Sequence, residues 1–500
     1  MSGRSTFISK ELMHRLIFIF AQVLIITLTI VPSSSASTYL SLDDETYEIL
    51  NRLEAEGVIE GGLLSTKPLN RKEIKRLIIE AERNSKDKGL FIQNLIKYLK
   101  ERFIYEKGDV KFIRPVDNLY VSYIHSSSHN QTLNYNKEGD SYNKGSNLRA
   151  GLSSRAELGW LSFYLNPEIR YSGPDTDLIM KRSYGVLSLL GLDLQFGRDS
   201  QWWGPGYHGA LLVSNNAEPL TMLRFTNSYP VLLPSVFKYL GPFRFVFFIT
   251  RLEEERTIPE PYLWGMRFNF KPHPYIEIGL ERTALLGGRG RSSDLKTWLK
   301  SLTGRQENDP GEPGDQRAGF DLKITLPFKR QPLQLYVEAA EEDEAGGLPY
   351  KWAYLAGIYM PRILSLERLS LRAEYANTHV SGGPNVWYSH HIYGLDAYSY
   401  KGRIIGHHIG TDSRDGFFEL SYFIPERDRR ISIFYDREEH NLSGSFGEKK
   451  DEFGLRFESK ITKGLRAGIL YQYGDIKNIG NLMHNEMKLN QITGMVTYEF

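Results

Sequence analysis

The chain has 500 residues, with 62 basic and 60 acidic side chains, 45 Gly, 30 Tyr, 26 Phe and no Cys. A formal net charge of +2 gives no bulk attraction for nucleic acid, and none is expected as a partner. Without cysteine there is no disulfide and no thiolate metal site, so an exported chain of this kind must be held by other means.

At the N-terminus, Arg4, Lys10 and Arg15 precede an unbroken apolar run, 16–31. The small-residue cluster Pro32 to Ser37 follows. This order reads as a secretory signal over residues 1–36, cut after Ala36. Its removal would leave 59 basic and 59 acidic residues of the original 62 and 60.

Residues 37–110 are expected to form a small helical bundle on the periplasmic side. Tyr47, Leu50 and Leu53 share one face of a helix ending at Gly57. Asn70 is placed to cap a second helix, with Glu73 three residues on, as in a capping box. Ile74, Leu77, Ile78 and Ala81 then fall on one side, and Phe91, Leu95, Leu99 and Phe103 mark a third helix. Such stripes form the mutual core of a bundle.

From about residue 117 the apolar period changes from 3.6 to 2, which marks strands. Phe243, Phe245, Phe247 and Ile249 alternate with Arg244, Val246, Phe248 and Thr250. Phe320, Leu322, Ile324 and Leu326 alternate with Asp321, Lys323 and Thr325. The same pattern recurs over 264–270, 333–339, 369–375, 453–457 and 465–473. The final segment repeats it: Ile492, Gly494, Val496, Tyr498 and Phe500 lie on one face, with Gln491, Thr493, Met495, Thr497 and Glu499 on the other. Strands of about ten residues, apolar on one face only, suit a tilted crossing of an outer membrane. A membrane chain without apolar helices must close its sheet to satisfy its backbone.

The expected fold is therefore an all-β transmembrane β-barrel over 111–500, in the bacterial outer membrane, with a small N-terminal α-helical bundle. Its surroundings would be outer-membrane lipid and lipopolysaccharide. The last strand, ending at Phe500, is the signal expected to be read by the barrel-assembly machinery. Tight connections at 271–274, 327–330 and 425–428 alternate with long polar ones at 285–317, 377–403, 438–451 and 475–489. A tally gives roughly 16–18 antiparallel strands, an even number being required. The alternation of long and short connections fails between 377 and 416 unless another strand lies near 385–400, and 198–242 is not assignable by period.

The densest special segment runs from Gly197 to Pro219. It holds Arg198, Asp199, Trp202, Trp203, His208, Asn215, Asn216 and Glu218 around Gly204-Pro205-Gly206. Aromatic rings stack on the C–H face of a pyranose, and amides and carboxylates take its hydroxyls. The same residues would equally serve as packing in a loop folded into the lumen, with Arg198 and Asp199 as a structural pair. The segment 376–403 offers a second aromatic surface, with Trp387, Tyr388, Tyr398 and Tyr400. Neighbouring histidines point to opposite faces of an extended chain, so neither His390-His391 nor His407-His408 makes a chelate by itself, and no metal or other cofactor is expected. Acidic runs at 253–255 and 341–344 suit calcium or divalent bridging to lipopolysaccharide, and more ordinarily solvated loop charge. No pair of carboxylates is singled out for glycosidase work, and there is no Gly-x-Ser-x-Gly, phosphate loop or dinucleotide motif.

The run Gly197-Arg198 … Trp202-Trp203-Gly204-Pro205-Gly206, followed by Ser214-Asn215-Asn216-Ala217-Glu218-Pro219, resembles the signature of the capsule-assembly Wzi family of Gram-negative outer-membrane proteins. The block from Tyr398 to Asp412 is similar to that family too, as are Leu53 to Ile59 and Pro68-Leu69. The resemblance implies an 18-stranded barrel with a periplasmic bundle. It also implies lectin-like anchoring of capsular or similar exopolysaccharide at the cell surface, without catalysis. The rival reading is a porin-like channel for small solutes, and conductance separates the two. A hydrolase or lipid-A-modifying enzyme would need a defined nucleophile and base.

Overall fold

The computed structural model describes residues 35–104, 111–129, 133–303, 314–342, 344–345, 348–349, 352–380, 386–425 and 428–500. All but the last two residues of the expected signal, Ser35 and Ala36, lie outside them.

Three helices come first: α1 (Thr46–Ala55), α2 (Arg71–Asn84) and α3 (Leu90–Phe103). Asn70 caps α2, its Oδ1 accepting from the Glu73 amide at 2.8 Å. The Glu73 carboxylate accepts from Arg76 Nε at 2.7 Å instead of completing the reciprocal half of the box. Leu50, Leu53, Ile74, Leu77, Ile78, Leu95, Leu99 and Phe103 form one buried apolar cluster, because each stripe can leave water only against the other two.

Among the described residues, eighteen antiparallel strands then close into a barrel. They are β1 (Lys111–Ser126), β2 (Gly145–Leu158), β3 (Leu161–Ser172), β4 (Asp175–Leu189), β5 (Leu192–Asp199) and β6 (Leu220–Asn227). Next come β7 (Pro242–Arg251), β8 (Tyr262–His273), β9 (Ile276–Leu286), β10 (Gln316–Leu326), β11 (Leu333–Glu342) and β12 (Trp352–Met360). The circuit ends with β13 (Leu369–Asn377), β14 (Ser413–Ile424), β15 (Arg429–His440), β16 (Lys449–Lys460), β17 (Leu465–Lys477) and β18 (Glu486–Glu499). β18 pairs with β1, from Asn118 opposite Glu499 to Ser126 opposite Gln491, which removes the last free edge.

The period of 2 sorts side chains by medium. On β16, Phe453 is 54% exposed while its neighbour Glu452 is 0% exposed. Phe457, Ile469, Tyr471, Val496 and Tyr498 also sit on the outside, whereas Arg244, Arg267, Asp321, Lys323, Glu338 and Arg372 are buried within. A continuous apolar belt around a charged interior suits a sheet whose outer solvent is lipid.

Connections at one end are short, as at 159–160, 190–191, 274–275 and 461–464, and the helices pack there. At the other end 127–144, 200–219, 287–315 and 378–412 are long. By the barrel rule the long-loop end faces outward, away from the periplasm.

Two expectations need correction. β13 pairs directly with β14, so no barrel strand lies near 385–400; the whole of 378–412 is one connection, with a two-residue hairpin at 399–404. The polar stretch 285–317 is not all loop: β9 reaches Leu286, and a fourth helix, α4 (Leu295–Thr303), lies against the wall, where Ser301 Oγ accepts from Trp264 Nε1 at 2.9 Å.

Candidate functional site: a lumen closed from both ends

The bundle packs on the short-turn end of the barrel through charge as well as apolar contact. Glu54 of α1 is fully buried and accepts from Lys271 Nζ and Lys323 Nζ, each at 2.7 Å, and from Gln334 Nε2 at 3.0 Å. Glu48, six residues earlier, meets Arg372 at 3.1 Å. Burial alone would raise the Glu48 carboxyl, but Arg372 and Arg430 prevail and hold it at about 2. The chain after α1 reaches further in. Thr66 and Lys67 pair with Trp203 and Trp202 in a small two-stranded sheet, so the periplasmic segment touches the tryptophan block directly.

That block enters from the opposite end. The loop 200–219 folds back into the barrel and is tied to its wall by two carboxylates. Glu338 of β11 accepts from the amides of Gly206 and Leu211, both at 3.0 Å. Glu374 of β13 accepts from the amides of Tyr207 at 2.6 Å and His208 at 2.9 Å. Gly204 has φ +118°, and a Cβ there would lie 2.1 Å from Glu338 Oε1, so the tight approach requires glycine.

Neither tryptophan presents an open ring. Trp203 is fully buried, its ring edge-on to Phe248 at 5.4 Å, and Trp202 donates from Nε1 to the Gly206 carbonyl at 3.1 Å. Of the two sequence alternatives, packing and presentation of the loop fits this burial; a free stacking platform does not. Asp199 is buried too. It accepts from Gln195 Nε2 at 2.9 Å and from the Ser200 amide at 3.0 Å, so Arg198 and Asp199 are not a pair.

The second aromatic segment locks onto the first. Tyr388 donates to the Leu211 carbonyl and accepts from the His407 amide at 2.9 Å. Tyr398 donates to the Leu212 carbonyl at 2.9 Å and stacks on Tyr388 with ring centroids 5.5 Å apart. Asn216 Nδ2 donates to the Ile404 carbonyl at 3.0 Å, and the Ser214 amide donates to the Ile405 carbonyl at 2.9 Å. Trp387 is fully buried in the same cluster, and Asn215 is buried with its carbonyl accepting from the Glu138 amide at 2.8 Å. The two blocks, about 200 residues apart in sequence, thus make one plug.

Two candidates stay nearer to solvent. Arg198 is ion-paired with Glu218, whose carboxylate also meets Lys401 Nζ at 2.9 Å, while Tyr400, beside Lys401, is buried in the apolar cluster. Burial works to raise the Glu218 carboxyl, yet the Lys401 hydrogen bond and the two positive charges bring it below its usual range. The acidic runs are largely engaged: Glu253 pairs with Arg256, Glu254 with Arg289, and Glu342 with Arg317 at 2.6 Å.

His208 and the His407-His408 pair meet deep in the plug. The His407 and His408 rings stack with centroids 4.6 Å apart, and Phe417 stacks on His208 at 3.9 Å. Gly209 must be glycine here, since a Cβ would lie 2.1 Å from His407 Nε2. Burial pushes the His408 imidazole down to about 4, against the pull of Glu438, and drives His407 lower still than its ordinary value. Glu54, Glu338, Glu374 and Glu438 were not marked by the sequence. Each is one inward carboxylate among many, and only the far partner gives it a role.

Residues 117–491 match the family model of the capsule assembly protein Wzi. This chain belongs to the capsule-assembly Wzi family. An uncharacterized 55.8 kDa protein in the cps region of Klebsiella pneumoniae is 32% identical over 181 residues, which span 35% of this chain and 36% of that protein. The solved structure of Wzi from Escherichia coli, an outer membrane protein involved in group 1 capsule assembly and a carbohydrate-binding β-barrel, matches with a TM-score of 0.75 at 20% identity. That match covers 93% of this chain and all of the other. The Wzi barrel fold is shared, and this family member is a barrel of the bacterial outer membrane.

Proposed function

We propose that this chain binds capsular or a similar exopolysaccharide and holds it at the cell surface, as a closed, lectin-like barrel. The observation that carries the reading is the interlock of the 200–219 and 378–412 segments within the outer half of the lumen. A barrel occupied this way offers the polymer a fixed outer surface in place of a passage. The porin-like reading requires a continuous water path past both plugs.

In this account Trp202, Trp203, His208, Asn215, Asn216, Trp387, Tyr388 and Tyr398 set the shape of the plug. Arg198, Glu218 and Lys401 are the side chains we assign to the polymer, with the buried Tyr400 beside Lys401 and Asp199 fixing the turn behind them. Two cations and a carboxylate suit an acidic or hydroxyl-rich glycan. Each contact is weak alone, and a repeating polymer multiplies it. We read the chain as a binder rather than an enzyme, because Glu338 and Glu374, the central carboxylates, are committed to backbone amides. Lipid on the aromatic outer face, lipopolysaccharide at the outer rim and recognition of the Phe500 strand by the assembly machinery complete the proposed partners.

The test is deletion and complementation in the source organism. Total polymer should stay at the wild-type level while the cell-bound share falls and the medium share rises. An Arg198→Ala, Lys401→Ala double variant should show the same release with its heat-modifiable gel shift intact. Loss of total polymer on deletion would make this the wrong role.

A further inference from the structure

The plug contains a second constellation that the binding role leaves unused. His208 comes from loop 200–219, His408 from loop 378–412, and Asp415, Asp436 and Glu438 from the inner faces of β14 and β15. Their register explains the convergence: Asp415 lies opposite Glu438, and Phe417 opposite Asp436, so the carboxylates occupy adjacent inward positions near the outer end. His208 Nε2 stands 3.6 Å from Asp415 Oδ2 and 3.4 Å from Asp436 Oδ1. His408 Nε2 stands 3.8 Å from Asp415 Oδ2 and 3.2 Å from Glu438 Oε1.

These are buried groups facing one another without hydrogen bonds. His208 and His408 side chains are 5% and 4% exposed, and Asp415 and Asp436 3% and 0%. Yet His208 Nε2, His408 Nε2, Asp415 Oδ1 and Asp436 Oδ1 make no hydrogen bond. A buried polar atom left in this state forfeits its hydration without a replacement bond. Charge is also out of balance. Lys450 Nζ sits 3.1 Å from Asp436, 2.6 Å from Glu438 and 3.1 Å from Glu452, so one ammonium serves three carboxylates and Asp415 adds a fourth. Glu438 is further engaged by His440 at 2.9 Å.

We propose that His208, His408 and Asp415, whose donor atoms all lie within 4.8 Å of one another, form a binding site for one zinc-like divalent cation. A tetrahedral ion with bonds of about 2.0–2.1 Å has donor–donor edges of about 3.3–3.4 Å. The 3.6 and 3.8 Å edges from each imidazole to Asp415 need only a small contraction, and the third edge, between the imidazoles, is within 4.8 Å. Two imidazoles with a carboxylate select a late first-row dication over calcium or magnesium, which prefer all-oxygen shells. The rings are held in place before any ion arrives: Phe417 stacks on His208 at 3.9 Å and Tyr135 on His408 at 4.4 Å. An ion here would join both loops to the barrel wall and offset the excess negative charge. The expectation that adjacent histidines point to opposite faces does not hold, since the His407 and His408 rings stack and the His390 and His391 centroids lie 4.3 Å apart; the proposed site arises because separate segments each supply one donor.

The test uses the full chain without a histidine tag, folded in detergent and stripped with a chelator. After incubation with zinc and gel filtration, elemental analysis should find about one zinc per barrel, and calcium alone should not be retained. Cobalt should give the visible bands of a tetrahedral site. A His208→Ala, His408→Ala double variant should lose the retained zinc and the bands, while His390→Ala keeps both. The heat-modifiable gel shift reports that each variant is folded. The proposal is overturned if folded wild type retains no stoichiometric zinc, or if the folded double variant retains as much.

Discussion

The two plugs that close this barrel are built on different physics. The periplasmic plug is a helical unit with its own apolar core, fastened to the wall by a few buried ion pairs around Glu54 and Glu48. The outer plug shares its apolar cluster with the wall. It is held where Glu338 and Glu374 reach backbone amides, and where Tyr388 and Tyr398 reach carbonyls of the other loop. The first is a domain that docks, and its sequence can vary wherever its stripes persist. The second is a shape imposed by specific partners, so its sequence is dense in Gly, Trp, Asn and His.

Glu54→Ala should have the largest effect on the first plug alone. Among the described residues, it leaves the buried Lys271 ammonium with only the Gly62 carbonyl and Lys323 with Glu277 alone, at a cost of about 3–5 kcal/mol. Protease should then cut within 37–104 more readily, and planar-bilayer recordings should show bursts above the near-closed wild-type baseline. Cleavage at 200–219 should stay unchanged; if it rises equally, the plugs are one unit and the distinction fails.

Trp203→Ala is the converse. It empties a fully buried site against Phe248 and should cost about 3 kcal/mol. The expected outcome is faster cleavage at 200–219 on whole cells, with the barrel's gel shift retained because the strand ladders are untouched. Unaltered cleavage would mean that the loop is held by its carboxylate anchors alone.

The legibility of the two plugs follows the same division. The bundle could be read because its signal is local: Leu50, Leu53, Ile74, Leu77, Leu95 and Leu99 each declare a face within a few residues. The strands could be read for the same reason, and the lipid-facing side of β16 and β18 was evident from Phe453, Leu455, Val496 and Tyr498. The outer plug was visible only as a place where periodicity stops. Its tryptophans looked like sugar platforms because composition does not encode burial, and Trp203 is buried by Phe248 and by Thr66 on a segment over 130 residues away. The connections between 377 and 416 could not be assigned, with a hidden strand near 385–400 as one way out, because the sequence does not reveal that a long aromatic loop can be satisfied inside a lumen.

Glu338→Gln should act more mildly than Trp203→Ala. The amide oxygen can still accept from one of Gly206 or Leu211, but the charge-assisted character and the second bond are lost. A cost of about 1–3 kcal/mol is expected, read as an intermediate cleavage rate at 200–219. A rate equal to that of Trp203→Ala would place the anchor above the aromatic core in importance.

The smallest effect expected is a pH dependence confined to the bundle. Glu48 is held at about 2 when docked, against an ordinary 4.5. The undocked state therefore binds more protons between these values, and docking strengthens as pH rises through that window. The contribution is complete above 4.5 and is lost as pH falls toward 2. Accessibility of 37–104 to an acid-active protease should rise across that range in wild type and less steeply in Glu48→Gln. Parallel slopes would assign the effect to other groups.

The central claim is that the closed barrel itself holds the polymer. The direct measurement is binding of the purified, folded chain to polysaccharide extracted from its own source organism, with boiled protein as control. Saturable binding by the folded barrel, lost on boiling and weakened in the Arg198→Ala, Lys401→Ala variant, is the predicted result. Folded and boiled protein binding alike, or neither binding, would contradict it.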